Sequence, residues 1–292
     1  MSIIPYLCRS SAELWHTPSM PRMFNPSNGI MAKKIMVSSY KGGVGKTQTS
    51  LEMSYALAIK GYRVLGIDYD FQGNYTRVLS KDTPTRKRSL PDILIADDQI
   101  QREDISTRIL DAKGNRIDFI ASGLALGRLE KKLTGDAPKE YVLKDALALV
   151  EDDYDYIIID TPPSAELVFT SALVASDGIL ITSQAAVFSV DGVNKVMPVI
   201  RKAQHHPRLN PNLQMLGILV CRLENDKENR RCVEDLRNAY GDLVLSPLIR
   251  KCSKVSESNR FNTFTQEYAP RCTSAQDYRQ FFDNLFGAGK SL

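Results

Sequence analysis

Residues 35–47 read Ile-Met-Val-Ser-Ser-Tyr-Lys-Gly-Gly-Val-Gly-Lys-Thr, and this stretch decides the fold. It begins with an apolar run typical of a buried strand, and a helical stretch at residues 47–60 follows it. Glycines between a strand and a helix let the backbone turn its N–H groups toward phosphate oxygens, and the helix N-terminus adds partial positive charge. The stretch therefore predicts a phosphate-binding loop.

Two side chains of this loop have a direct use at a bound nucleotide. Lys46 can reach the β- and γ-phosphates of ATP, and the Thr47 hydroxyl can bind Mg²⁺. The general pattern G-x-x-x-x-G-K-[ST] would place its first glycine at Tyr40, and an additional lysine, Lys41, follows instead. The Lys41 ammonium could reach a phosphate held by a second subunit, which would tie dimerisation to ATP. The candidates for nucleotide binding are Lys41, Gly42, Gly43, Val44, Gly45, Lys46, Thr47 and Gln48.

Three aspartates stand at the ends of predicted strands. Asp68 and Asp70 are two residues apart, so both carboxylates point to one face of the strand. Asp70 is the candidate for positioning the attacking water, and Asp68 for supporting it. The apolar run at residues 156–159 ends in Asp160, whose carboxylate can hold Mg²⁺ through water. The candidate catalytic residues are Lys41, Lys46 and Asp70, and the candidate metal ligands are Thr47 and Asp160.

Short apolar runs alternate with helical stretches along the chain, which predicts a doubly wound, mostly parallel α/β sheet flanked by helices. The predicted strands are residues 35–39, 63–68, 117–121, 156–160, 178–183, 216–221 and 244–248. The predicted helices are residues 47–60, 141–151, 165–175, 190–203, 229–240 and 275–286. Residues 80–115 are polar and charged, which indicates a surface excursion with a short helix. Ligands of such sheets bind at the carboxyl ends of the strands.

Composition sets broad limits on the class of protein. The 292 residues carry a net charge of +4, which permits an acidic partner without requiring one. No apolar run approaches the length of about 18 residues that a membrane span needs. The five cysteines are scattered, which argues against a disulfide framework and fits a reducing cytosol. Residues 1–32 are expected to be an irregular extension, and residues 33–292 to form the ATPase domain.

The motifs resemble those of ParA-type partition ATPases, the deviant Walker A group that also includes the MinD cell-division proteins. Lys-Gly-Gly-Val-Gly-Lys-Thr at residues 41–47 is similar to the signature loop of the group. Residues 64–74 and 160–163 resemble its second and third motifs, and Gln184 and residues 255–258 also match. The chain departs from the pattern where Phe71 and Arg250 replace prolines and Gln48 replaces threonine.

The resemblance implies an ATP-dependent homodimer in which Lys41 crosses the interface and Asp70 activates water. Hydrolysis would be slow until a ParB-type adaptor, bound at a centromere-like site, stimulates it. The ATP-bound dimer would bind double-stranded DNA without sequence preference, and its cycle would move a plasmid or chromosome over the nucleoid in the cytoplasm. The absence of a large N-terminal DNA-reading domain matches the short form of the family.

Cations near the C-terminus are candidates for contact with DNA, because clustered lysine and arginine bind phosphate independently of sequence. These candidates are Arg250, Lys251, Lys254 and Arg260, with Arg230 and Arg231 as weaker ones. Residues 249–260 contain one acid, Glu257. Arg222 is a candidate for contact with adenine.

Two other functions remain open from the sequence. A MinD-like positioning ATPase would use a C-terminal amphipathic helix to bind lipid. Apolar residues at helical spacing, Phe281, Phe282, Leu285 and Phe286, fit such a helix, and they equally fit a helix that packs on the sheet. The polar face carries Asp283 and Asn284 rather than lysines, which argues against anionic lipid and against stable membrane association. The third possibility is an ATP-switched scaffold for another cargo.

Overall fold

The apolar runs pair into a seven-stranded sheet in the computed structural model, which describes residues 32–85, 88–123, 125, 129, 139–163 and 166–287. The strands are β1 (Lys33–Ser38), β2 (Val64–Asp68), β3 (Ser106–Ile109), β4 (Arg116–Ile120), β5 (Tyr156–Asp160), β6 (Gly178–Gln184) and β7 (Gln214–Cys221). Their spatial order is β3-β4-β2-β5-β1-β6-β7, and every pair is parallel except β3 with β4. The predicted mostly parallel α/β sheet is confirmed.

Helices cover both faces of the sheet. They are α1 (Lys46–Ile59), α2 (Asn74–Leu79), α3 (Leu90–Ile95), α4 (Val142–Leu147), α5 (Glu166–Ala175), α6 (Ser189–His205), α7 (Lys227–Tyr240), α8 (Ser253–Arg260), α9 (Thr265–Tyr268) and α10 (Thr273–Phe286). Apolar residues of α3 to α7 form one core cluster, and those of α1, α2 and α10 form a second cluster on the opposite face. The predicted end of α1 is confirmed by Gly61, whose φ of +81° is the left-handed conformation that glycine adopts readily.

Strand register explains why the predicted motif residues share one edge of the sheet. β5 lies between β1 and β2, and Asp160 at its end pairs with Val37 on one side and Asp68 on the other. The loop that follows β1 therefore opens directly beside Asp160. This edge is the carboxyl end of the parallel strands, where ligands of open α/β sheets bind.

Two sequence-based predictions of secondary structure were wrong. Residues 244–248 do not form a strand; Val244 makes an isolated bridge to Ile218. Pro247 has no N–H to contribute to a ladder, which limits pairing there. Residues 80–115 are more than a surface excursion, because β3 adds an antiparallel edge strand. The sequence of β3 is polar and does not indicate a strand. The buried side chain of Arg108 on β3 is held by the Asn262 carbonyl and the Phe264 ring rather than by apolar packing.

The aromatic face of the last helix packs on the sheet. Phe281, Phe282 and Phe286 are buried in the same cluster as β1 and β5, and the ring of Phe286 lies 5.3 Å from that of Tyr156. The face considered above for lipid binding is therefore covered by protein. No helix in the described part of the chain is long and apolar enough to cross a membrane. Residues 1–31, most of the predicted extension, lie outside the described residues, and Ala32 is buried.

Candidate functional site

The glycine-rich loop connects β1 to α1 in two left-handed steps. Gly43 has a φ of +78°, and Gly45, the N-cap of α1, has a φ of +97°. A Cβ on Gly45 would lie 3.0 Å from the Cβ of Cys221, so both conformation and space favour glycine there. Around Gly42 and Gly43, by contrast, a Cβ would meet no protein atom within 4 Å. The front of the loop therefore has open space beside backbone N–H groups, as a phosphate cradle requires.

Asp160 sits at the floor of this loop with no exposed surface and is held by side chains of the first turn of α1. Lys46 Nζ lies 2.9 Å from Asp160 Oδ1, and the Thr47 hydroxyl donates to Oδ2 at 2.8 Å. The Ser50 hydroxyl donates to Oδ1, also at 2.8 Å. Burying an ion pair costs several kcal/mol per ion unless hydrogen bonds satisfy the charges, and these donors meet that condition.

The two neighbouring aspartates are directed differently. Asp70 Oδ2 lies 3.5 Å from Lys46 Nζ, and the side chain lines the open cleft. Asp68 instead accepts hydrogen bonds from the backbone N–H and hydroxyl of Thr76, at 2.7 and 2.6 Å. Burial, followed by the charge of Asp160, raises the pKa of Asp68 to about 7 despite these donors. Asp70 therefore faces the site, whereas Asp68 fixes the start of α2 behind it.

A cleft of about 570 Å³ opens above the loop. One wall is formed by the loop, Asp70 and α2, and the other by the end of β7, α8 and the start of α10. Arg222 lines the cleft, and its Nη1 donates to the carbonyl of Gly43 at 2.8 Å. Arg222, the predicted adenine contact, therefore already donates a hydrogen bond to the front of the loop.

Gln48 belongs to a buried polar network that the sequence did not reveal. Its Nε2 donates to Glu52 at 2.7 Å and to the Thr265 hydroxyl at 3.0 Å. Glu52 also accepts the backbone N–H groups of Thr265 and Gln266, while burial raises its pKa. The Oε1 of Gln48 is buried at the cleft and has no hydrogen-bond partner among the described residues. Gln48, which stands where the family pattern has threonine, is therefore in contact with the carboxylate of Glu52 and with the start of α9.

Arg250, Lys251, Lys254 and Arg260, the main predicted DNA-contacting cations, lie on or beside α8 in different settings, whereas the weaker candidates Arg230 and Arg231 lie on α7. Arg250 donates to both carboxylate oxygens of Asp277, with an Nη2–Oδ1 distance of 2.6 Å, and this bidentate pair secures the cleft wall. Lys251 pairs with Glu224 at 2.8 Å and Lys254 with Glu257 at 2.7 Å, both at the surface. Arg260 is exposed at the end of α8.

Lys41 occupies the exposed front of the loop. It lines the main cleft and also a smaller depression that contains Tyr40, Gln184 and Phe188. No ion pair to Lys41 occurs within the described ranges. Tyr40 and Phe188, which line this depression with it, are large apolar side chains with substantial exposure.

Comparison with known proteins agrees with this site. A family model described as AAA domain matches residues 32–215. Sporulation initiation inhibitor protein Soj of Bacillus subtilis (strain 168) is 32% identical over 249 residues, covering 85% of this chain and 96% of that protein. Chromosome partitioning protein ParA of Caulobacter vibrioides is 29% identical over 247 residues, covering 84% and 90%.

Solved structures share the fold. Cobyrinic acid a,c-diamide synthase from Mycobacterium smegmatis, with bound ATP analog and magnesium, has a TM-score of 0.73 and 28% sequence identity. The similarity covers 86% of this chain and 93% of that one. The strand, glycine loop and helix, with Asp160 beneath them, define a P-loop ATPase. Within that class, the chain belongs to the ParA-type family of partition ATPases.

The buried pair at the floor of the site gives a stability prediction. Lys46→Met leaves the Asp160 carboxylate buried with only neutral donors, so the free energy of unfolding should fall by about 3–5 kcal/mol. Lys254→Met removes a lysine from an exposed pair and should leave the free energy of unfolding close to that of the wild type. Urea unfolding measures both. Adding Asp160→Asn to Lys46→Met should restore much of the lost free energy of unfolding, because no unpaired charge then remains buried. A Lys46→Met variant as stable as the wild type would contradict this coupling between Lys46 and Asp160.

Proposed function

We propose that this chain is a partition ATPase that binds ATP and Mg²⁺, dimerises with ATP bound and then holds double-stranded DNA without sequence preference. A ParB-type adaptor would stimulate its slow hydrolysis and release it, so that a plasmid or chromosome moves over the nucleoid. The observation that carries the proposal is the cluster of Lys46, Thr47 and Asp160 beneath an open glycine loop. The kinship with Soj and ParA supports the partition role.

The residues of the site fit ATP and Mg²⁺. Open space beside Gly42 and Gly43 gives room for phosphate oxygens, and Lys46 can exchange a carboxylate for a phosphate. The hydroxyl of Thr47 and the carboxylate of Asp160 are oxygen donors of the kind that Mg²⁺ prefers. Bound Mg²⁺ would neutralise charge on the phosphates. The ATP analog and magnesium in the Mycobacterium smegmatis protein support this assignment.

In this proposal, Asp70 orients the attacking water. Its carboxylate lines the cleft next to Lys46, while its other oxygen accepts the backbone N–H of Gln72 at 3.0 Å. The Ser122 hydroxyl also holds the Asp70 carbonyl at 2.6 Å. These contacts fix the carboxylate without removing it from the site, as positioning of a reactant requires.

Asp70→Ala should bind ATP as the wild type does, lose turnover by about a hundredfold or more, and accumulate as an ATP-bound dimer. Losing the carboxylate removes the water's acceptor but leaves the phosphate cradle. Phosphate release and light scattering after gel filtration measure the two effects. Asp235→Ala on the exposed face of α7 is the matched control. A variant that stays monomeric with ATP would contradict the role in water activation.

The face that carries Lys41 supports an ATP-dependent homodimer. Exposed apolar side chains beside a ligand site commonly mark an interaction surface, and Tyr40 and Phe188 are such side chains. Lys41 stands between this group and the cleft. Its ammonium can therefore reach a nucleotide held by the facing subunit.

Lys41→Ala should retain ATP affinity within about threefold, since Lys46 supplies the charge within the subunit, but should not dimerise. Sedimentation with and without ATP distinguishes these outcomes, with Lys113→Ala on the β3–β4 turn as a charge-matched control. If Lys41→Ala dimerised with ATP as the wild type does, the cross-subunit role of Lys41 would be contradicted.

DNA binding is proposed for the surface formed by Lys251, Lys254 and Arg260. The ion pairs of the two lysines with Glu224 and Glu257 are exposed, and such pairs contribute little to stability. DNA phosphates can therefore displace these acids. Arg250 was predicted to join this surface, but its bidentate pair with Asp277 favours a role in the cleft wall.

Replacing Lys251 and Lys254 together with alanine should weaken ATP-dependent binding to random duplex DNA. The slope of log affinity against log salt should fall by roughly two for each subunit that contacts the DNA, because about one counterion is released per phosphate contact. Lys113→Ala with Lys144→Ala lowers the net charge equally and should leave the slope unchanged. An unchanged slope in the first variant would move the DNA surface elsewhere.

The alternatives have less support. Burial of Phe281, Phe282 and Phe286 disfavours a MinD-like lipid anchor on α10. An ATP-switched scaffold would share the nucleotide site and differ in its cargo. Binding to random duplex DNA, compared with pelleting on anionic liposomes, separates the three functions: DNA alone supports partition, lipid alone the membrane alternative, and neither the scaffold.

A further inference from the structure

Arg222 reaches the phosphate loop from a distant part of the chain. It follows the last residue of β7, and its Nη1 donates to the carbonyl of Gly43 at 2.8 Å, across 179 positions of sequence. The side chain is exposed and lines the cleft. In the part of the chain that the structure describes, no carboxylate forms an ion pair with its guanidinium. The loop carbonyl is therefore the partner that orients this side chain.

The backbone of Arg222 is strained. Its φ of +58° lies in the left-handed region, where glycine is favoured and a residue with a Cβ meets a steric clash. Both neighbours are held in place: Cys221 pairs with Gln184 on β6, and the N–H of Leu223 donates to the Ile249 carbonyl at 3.0 Å. Strain of this kind persists only where the surrounding structure holds it, and it is concentrated at functional sites. The strain therefore indicates a use for an arginine at a position whose backbone suits glycine.

The front of the phosphate loop has few restraints of its own. The Ser39 hydroxyl donates to the Lys41 carbonyl at 3.0 Å, and Arg222 is the one described side chain from elsewhere in the fold that hydrogen-bonds to residues 41–45. Among the described residues, the backbone N–H groups of residues 42–45 have no acceptor. A Cβ at Gly42 or Gly43 would have open space around it, so packing does not fix these two residues. Arg222 thus supplies a restraint that the loop itself lacks.

The hydrogen bond from Arg222 to Gly43 sets the direction of one peptide group. In a planar trans peptide the carbonyl and the following N–H point in opposite directions. Because the Gly43 carbonyl is turned toward Arg222, the N–H of Val44 points away from the guanidinium. Val44 is one of the residues predicted to bind nucleotide. An N–H group that is already oriented loses less conformational freedom when a phosphate binds, so the binding is tighter.

We propose that Arg222 is a positioning residue for the phosphate loop, which it serves by holding the Gly43–Val44 peptide in its phosphate-binding orientation, and not the adenine contact predicted from the sequence. The inference rests on the proposed binding of ATP in this cleft. Backbone N–H groups of such a loop hold phosphates rather than the base. The contribution of Arg222 should therefore be equal for ligands that share the phosphate chain, whether or not they carry adenine.

The experiment measures the affinity of the full chain, with Mg²⁺, for ATP, ADP and inorganic tripolyphosphate by displacement of a fluorescent ADP analogue. Arg222→Met keeps an unbranched side chain but has no donor. It should weaken binding of all three ligands by a similar factor, about tenfold, because a hydrogen bond from a charged donor is lost. Arg222→Lys should recover most of the affinity, because its ammonium can donate to the same carbonyl. Arg237→Met, at an exposed position on α7, is the charge-matched control and should bind as the wild type does.

Arg222→Asn separates positioning of the loop from a general effect on folding. Asparagine adopts the left-handed conformation more readily than arginine, but its side chain ends several atoms short of the guanidinium. The midpoint of urea unfolding should therefore be equal to that of the wild type or higher, while the affinity for tripolyphosphate falls as in Arg222→Met. A residue with a merely structural role would not lose affinity while stability is kept.

Three results would overturn the proposal. Weaker binding of ATP with unchanged binding of tripolyphosphate in Arg222→Met and Arg222→Asn would assign Arg222 to the base. A loss for ATP but not for ADP would indicate direct contact with the γ-phosphate, and an Arg222→Lys variant no better than Arg222→Met would show that the donor is not what matters. A wild-type chain that binds none of these ligands would contradict the proposed ATPase function together with this inference, whereas wild-type binding with unchanged variants would contradict the inference alone.

Discussion

The buried carboxylate of Asp160 is the constraint on which the arrangement of the site depends. Its hydrogen-bond donors, Lys46, Thr47 and Ser50, all come from the first turn of α1. For these side chains to reach Asp160 at the end of β5, α1 must begin close to the end of β1, the strand that neighbours β5. The chain can make that turn because Gly43 and Gly45 adopt left-handed conformations. The phosphate loop is therefore shaped by the need to satisfy one charge as well as by its glycines.

Helix α1 extends this constraint to the walls of the cleft. It is buried along almost its whole length, so each of its polar side chains needs a partner. Ser54 pairs with Tyr75 of α2, Thr49 with Tyr278 of α10, and Glu52 with the start of α9. Both walls of the cleft are thus attached to the helix that begins at the phosphate loop.

The parts of the molecule that were predictable from the sequence are those encoded by neighbouring residues. The loop, the buried strands and Asp160 are local patterns, and parallel strands bring their carboxyl ends together. The rest depends on contacts across the chain: Gln48 meets Thr265, and Arg250 meets Asp277. No periodicity in the sequence indicates such contacts. The prediction of a strand at residues 244–248 was wrong for the same reason, because the apolar residues there pack in the core without pairing into a sheet ladder.

The two departures from the family pattern inside the cleft are each answered by a compensating partner. A glutamine in place of threonine at position 48 would bury an amide, and Glu52 and Thr265 accept its N–H groups. An arginine in place of proline at position 250 would leave a guanidinium beside the cleft, and Asp277 neutralises it. Thr265 on α9 supplies one partner of Gln48, and Asp277 on α10 is the partner of Arg250. A polar replacement at a buried wall is therefore tolerated where a partner side chain meets the hydrogen bonds or the charge that it brings.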